Sequence, residues 1–178
     1  MNIIYKIISN FINDKSLYIG EKVTMSEHMI QSAMIAEKAK SSDSLVCACL
    51  LHDYGHFILE NPDDLAKKEK DGKHEELGYK FLKEYFINDV VEPIRYHVKA
   101  KKYLARDKKY YDFLSEASKK SLKFQGGIMN NEEAKEFECV KFFESSIKLR
   151  KFDEVAKKEG LKIKSINEYK NLLISKLI

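Results

Sequence analysis

Apolar residues recur along the chain at helical spacing. Ile3, Ile4, Ile7, Ile8, Phe11 and Ile12 predict a short helix over 2–13. A loop over 14–23 carries Tyr18-Ile19-Gly20-Glu21. Thr24, with Glu27 three positions on, has the capping-box pattern and starts a helix to about Lys40. Ser41-Ser42-Asp43-Ser44 reads as a turn and a second N-cap. The helix it starts, roughly 44–58, is apolar nearly all round and belongs in the core. Asn61-Pro62-Asp63-Asp64 and Lys70-Asp71-Gly72 mark loops, with room for a short polar helix between them. A helix over 74–86 places Leu77, Phe81, Leu82, Tyr85 and Phe86 on one face. The next, 89–98, is expected to start near Glu92, since Pro93 is best tolerated in a first turn. A segment at 110–122 is helical and stops before Gln125-Gly126-Gly127. Asn130 or Asn131 caps a long helix to about Lys158, ended by Gly160, and 166–176 forms the last one. No strand pattern, repeat or linker competes. The expectation is an all-α bundle, one domain over 1–178.

Composition sharpens this picture. Only 7 Gly and 2 Pro in 178 residues leave little turn chemistry, and a 44% hydrophobic fraction can build a core, which excludes collagen-like and disordered classes. Basic and acidic residues number 32 and 28, a mixed solvated surface rather than a nucleic-acid footprint. The longest apolar run, Leu45 to Leu51, is too short to span a bilayer. The N-terminus is broken by Lys6 and Asn10 and has no cleavage-site pattern, so no signal peptide is read. Cys47, Cys49 and Cys139 have no CxxC spacing and read as reduced, buried thiols. A soluble, cytoplasmic protein is expected, with no membrane or nucleic-acid partner.

The candidate chemistry lies in the five histidines: His28, His52, His56, His74 and His97. Each alone has an ordinary structural reading. His52-Asp53 does not, because it closes the most apolar segment and a buried carboxylate needs a cation or strong donors. The run Leu45–Tyr54 holds no Lys or Arg to supply one; a metal ion would. His56 lies one helical turn beyond His52, but Asp53 stands where the HExxH zinc helix has its Glu, which excludes that motif. A helical bundle can bring His28, His52-Asp53, His74 and His97 to one dinuclear, carboxylate-bridged centre.

These residues, followed by Asp153, resemble the metal signature of the HD domain in its six-ligand form. A finer likeness runs from about residue 17 to 155. It comprises Tyr18-Ile19-Gly20-Glu21, His52-Asp53-x-Gly55-His56, His97-Val98-x-Ala100-Lys101-x-Tyr103-Leu104, Leu114-Ser115-Glu116-Ala117-Ser118, Gln125-Gly126-Gly127-x-Met129 and Arg150-x-x-Asp153, in that order. This set resembles the mixed-valent di-iron HD oxygenases that break the carbon–phosphorus bond of 2-amino-1-hydroxyethylphosphonate.

The resemblance implies one iron held by His28, His52 and Asp153, a second by His74 and His97, and Asp53 bridging an iron(II)/iron(III) pair. It implies a four-electron oxidation by dioxygen that yields glycine and phosphate. Lys101, Arg150, His56, Ser118 and Ser121 would hold the phosphonate, Ser121 standing where the family favours Thr. Glu21 would receive the substrate ammonium, and Tyr18 would be the lid residue that substrate displaces. An iron/2-oxoglutarate hydroxylase is the expected upstream partner. Plainer readings stand beside these. Lys101 lies among Lys99 and Lys102 and can be a solvated face, Arg150 can simply pair with Asp153 or Glu154, and the serines can be helix-end residues. An HD phosphohydrolase acting on a nucleotide or phosphomonoester explains the ligands too, but not Tyr18 and Glu21.

Overall fold

The computed structural model describes residues 2–18, 21–58 and 72–178. The expected loops around Asn61–Asp64 and Lys70–Asp71, the polar helix between them, and Ile19-Gly20 lie outside the described residues. Ten α-helices and two 3-10 turns form the described chain, with no strand beyond two isolated bridges. In order these are α1 (Ile3–Asn13), α2 (Met25–Lys38), α3 (Asp43–Leu51), a 3-10 turn (Tyr54–Phe57), α4 (His74–Leu82), α5 (Asn88–Leu104) and α6 (Lys108–Phe113). After them come α7 (Glu116–Phe124), α8 (Asn131–Glu138), α9 (Phe143–Val155), a second 3-10 turn (Ile166–Tyr169) and α10 (Lys170–Ser175).

The predicted caps are present. Thr24 Oγ1 accepts from the Glu27 amide at 3.1 Å while the Glu27 carboxylate accepts from the Thr24 amide at 2.7 Å. Asn130 and Glu133 form the same reciprocal pair ahead of α8. Ser42 caps α3, whose residues Leu45 to Leu51 are all buried. Around α3 pack α2, α5 and α9, joined by α1, α4 and α10, to form the main core. A smaller cluster of Ala100, Met129, Phe137 and Ile147 seats α8 against α5 and α9, and Ala105, Leu114 and Leu122 seat α6 and α7.

Several expected helices are broken. The segment expected over 44–58 stops at Leu51, and His52-Asp53 forms a turn before the 3-10 segment. The helix expected over 74–86 ends at Leu82. The 110–122 segment divides at Leu114-Ser115, because Ser115 Oγ caps a new helix through the Ser118 amide at 3.2 Å. The long helix expected to Lys158 breaks between Glu138 and Phe143, and its second half ends at Val155. The final segment opens as a 3-10 turn. In contrast, α5 is longer than expected and carries Pro93 in its second turn. Pro93 forfeits one bond, to the carbonyl of Asp89, an exposed residue, so the cost is small there. Cys47 and Cys49 are buried free thiols as expected, whereas Cys139, at the break after α8, is exposed. No helix among the described residues is long and apolar enough to cross a membrane.

Candidate metal centre

The break after α3 builds the site. With His52 at the end of α3 and Asp53 in the turn, adjacent side chains point into one buried space from an element with no cation of its own. α2 brings His28, the first residue of α4 is His74, α5 brings His97 and α9 brings Asp153. Gly55 is what lets α4 come this close. A Cβ at Gly55 would lie 1.9 Å from the His74 carbonyl oxygen and 2.9 Å from the Gly78 amide, so no side chain fits.

The ligand-type atoms fall into two groups, His28–His52–Asp153 and Asp53–His74–His97. His28 Nε2 lies 3.1 Å from His52 Nε2, and His74 Nε2 lies 3.1 Å from His97 Nε2. Neighbouring ligands about 2.1 Å from one metal ion sit roughly 3 Å apart, so both contacts have the spacing of a shared cation. Backbone carbonyls fix the ring orientations. His28 Nδ1 donates to Ala156 O at 2.8 Å, His52 Nδ1 to Cys49 O at 2.8 Å and His97 Nδ1 to Ile94 O at 2.6 Å. Each donation leaves Nε2 as the free lone pair, the usual arrangement of a metal-ligating histidine. Asp53 lies between the groups: Oδ2 is 3.6 Å from His28 and 3.4 Å from His52, and Oδ1 is 3.2 Å from His74 and 3.5 Å from His97. One oxygen therefore faces each group. Asp153 Oδ1 is buried without a hydrogen bond, 3.2 Å from His28 Nε2.

The electrostatics agree. Burial alone would strip a proton from His52, yet Asp53 and Asp153 push it up to about 10. Burial would raise Asp53 as well, but His52, followed by the neighbouring His74 and His97, holds its carboxyl well below the usual range. The carboxylates demand positive charge at this spot. Imidazoles and carboxylates gathered in two such groups suit a transition metal bound through nitrogen and oxygen.

Other predicted site residues surround this centre. The Tyr18 ring stacks on His28, centroids 4.1 Å apart, and burial with Asp153 and Asp53 keeps its phenol protonated. His56 stacks on His74 at 4.3 Å, and burial lowers its pKa toward the neutral ring. Lys101 is 6% exposed, so it is not a solvated lysine like its neighbour Lys99; its ammonium donates to Ser121 Oγ at 2.8 Å. Burial, then Arg150, lowers it to about 7. Arg150 does pair along its helix with Asp153 and Glu154, and it also donates to Tyr110 Oη at 3.1 Å. Ser118 donates to Glu154 at 2.9 Å.

Two polar residues here were not singled out in the sequence, Lys157 and Tyr110, and Glu154 was named there only as an ion-pair partner for Arg150. Glu154 is 6% exposed and bonds Arg150, Ser118 and the Ser115 amide. Lys157 reaches Glu154 at 3.2 Å and Glu21 at 3.6 Å. The spacing Arg150-Asp153/Glu154-Lys157, three and four apart on one face, was the available signal, but it reads equally as a surface charge stripe.

Residues 25–136 match the HD-domain family. The chain is 42% identical, over 145 residues, to a Leisingera caerulea protein named [1-hydroxy-2-(trimethylamino)ethyl]phosphonate dioxygenase (glycine-betaine-forming), covering 81% of this chain and 74% of that one. It is 38% identical, over 154 residues, to hydroxymethylphosphonate dioxygenase of Gimesia maris, covering 85% of this chain and 77% of that one. The chain belongs to the HD-domain phosphonate dioxygenases. The oxygenase class expected above agrees with the names of these relatives, and the expected all-α fold is the one observed here.

Proposed function

We propose that this dioxygenase cleaves the carbon–phosphorus bond of a 1-hydroxyphosphonate, with 2-amino-1-hydroxyethylphosphonate as the best substrate, giving glycine and phosphate. The observation that carries this reading is Glu21: its Oε1 is buried without a hydrogen bond, on the segment whose Tyr18 stacks on His28. A buried acceptor without a donor is costly, and a primary ammonium supplies one. The trimethylated compound in the name of the Leisingera protein has no N–H to offer and favours an aromatic face instead.

In this reading His28, His52 and Asp153 would hold one iron and His74 and His97 the other, with the Asp53 carboxylate shared between them. The iron pair, mixed-valent when active, would supply dioxygen activation and a seat for the substrate's hydroxyl and phosphonate oxygens. The chain does the rest. Lys101, with no carboxylate paired to it among the described residues, gives the phosphonate its positive charge, and Ser121 orients the ammonium. His56, neutral and stacked on His74, donates a hydrogen bond to the same group. Arg150 acts on Asp153, holding the ligand carboxylate in register through the guanidinium, with Ser118 and Tyr110 bracing it. Tyr18 shields the centre until substrate enters. The balance is one hydroxyphosphonate and one dioxygen to one carboxylate, one phosphate and one proton. The 1-hydroxyl must be installed earlier, and a 2-oxoglutarate-dependent hydroxylase is the proposed supplier.

One observation favours an amine-free substrate as a second reading: Lys157 already places an ammonium 3.6 Å from Glu21. Glu21→Gln separates the two. It keeps shape and an acceptor but loses the charge of a bond worth about 1.5–3 kcal/mol, so turnover of the amino compound falls roughly ten- to a hundredfold. Steady-state kcat/KM on the amino compound and on hydroxymethylphosphonate measures this. A wild type that prefers the amine-free compound, with Glu21→Gln neutral, favours the second reading.

A further inference from the structure

We propose that Lys157 sets the preference between aminated and amine-free hydroxyphosphonates, as a counter-ion built in beside Glu21. This rests on Glu21 being the seat of the substrate's 2-position, as read above. Lys157 follows the C-terminus of α9, and its side chain is 9% exposed. An ammonium has three donors. Three acceptors already take them: Ser118 Oγ at 3.0 Å, Ser115 Oγ at 3.2 Å and Glu154 Oε1 at 3.2 Å. Glu21 Oε1, at 3.6 Å, receives the charge but no hydrogen bond. Glu21 is therefore balanced electrostatically and still lacks a donor. The same ammonium lies 5.7 Å over the Tyr18 ring, tying both ends of the Tyr18–Glu21 segment to one cation.

Two substrate classes meet this arrangement differently. A primary ammonium supplies the missing donor but must share the carboxylate with Lys157, against like-charge repulsion at short range. An amine-free substrate leaves the Lys157–Glu21 pair intact. Without Lys157 the two carboxylates do not suffer equally, because Glu154 keeps Arg150 while Glu21 loses the cation beside it. The freed charge is then available to a substrate ammonium. Lys157 is a positioning residue on this argument, acting through Glu21.

The test is kcat/KM of the iron-loaded enzyme on 2-amino-1-hydroxyethylphosphonate and on hydroxymethylphosphonate, for wild type, Lys157→Gln, Lys157→Met and Lys157→Arg. Either neutral variant should raise the amine-to-amine-free ratio by at least about tenfold, chiefly through a lower KM for the amino compound. Iron content should not change, and Lys157→Arg should stay within about threefold of wild type. In a Glu21→Gln background, Lys157→Gln should move the ratio no further. The proposal is overturned if the ratio stays or falls in both neutral variants, if Arg shifts it as far as Gln, or if the shift persists without Glu21. A Glu21 effect with no Lys157 effect sinks this inference and leaves the proposed function standing. Turnover of neither compound by wild type sinks both.

Discussion

Asp53 has one oxygen against each histidine pair, and no other carboxylate among the described residues is so placed. Removing it takes away the one negative charge common to both groups and leaves the His74–His97 pair without the carboxylate that faces it. Asp53→Ala should therefore purify with almost no iron, measured by metal analysis, and show no turnover; full occupancy would rule out a dinuclear centre. Lys101 is a different case, since it binds and does not ligate. Lys101→Ala should keep its iron but lose at least about tenfold in kcat/KM through KM, roughly 1.4 kcal/mol. The sign of its pH dependence follows from a pKa lowered to about 7 by burial and Arg150. The binding-competent cation is complete below that value and lost as pH rises through it, so kcat/KM should fall on the alkaline side of neutrality. Lys101→Arg, which stays charged, should lack that limb.

At the scale of elements, the crossing of the first 3-10 turn and α4 decides where His74 lies. Gly78 tolerates a Cβ better than Gly55, its nearest contact being 3.1 Å against 1.9 Å. Gly55→Ala should push α4 away and loosen the His74–His97 side while sparing the other, so iron content should fall toward half, with Gly78→Ala closer to wild type. Normal iron in Gly55→Ala would show that the centre does not need this approach. The sequence made the ligands legible because His52-Asp53 ends an apolar run without cations, a local conflict that a cation or strong donors from elsewhere in the chain must resolve. It made the caps legible because Thr24, Ser42 and Asn130 act on amides two or three residues away. The helix breaks were not legible. Phe137, Val140, Phe143 and Ile147 keep helical spacing straight across the turn after α8, and what bends the chain is tertiary, the edge-on packing of Phe137, Phe143 and Tyr103. Lys157 was not legible either: its local spacing to Glu154 reads as a surface pair, and the partners that give it a role, Glu21 and Ser115, lie far away in sequence.

Across the whole molecule, the six ligand candidates run from residue 28 to residue 153 and sit on α2, the end of α3, the turn after it, α4, α5 and α9. The bundle thus closes around the centre, and anything that binds only the folded cluster stabilises the whole fold by mass action. Charge is near-balanced over the chain, 32 basic against 28 acidic, and Arg150 and Lys157 are matched by Asp153, Glu154 and Glu21, which leaves Lys101 as the buried cation with no carboxylate paired to it among the described residues. A phosphohydrolase would use the same bundle and the same ligands but has no role for Tyr18 and Glu21, and the reaction itself separates the two directly. The decisive measurement is dioxygen consumed against phosphate released when aerobically purified, iron-loaded protein is given a panel of 1-hydroxyphosphonates and phosphomonoesters. The account predicts one phosphate per dioxygen from a hydroxyphosphonate, and no phosphate from that compound under anaerobic conditions. Phosphate released from monoesters with no dioxygen uptake, and none from any hydroxyphosphonate, would contradict it.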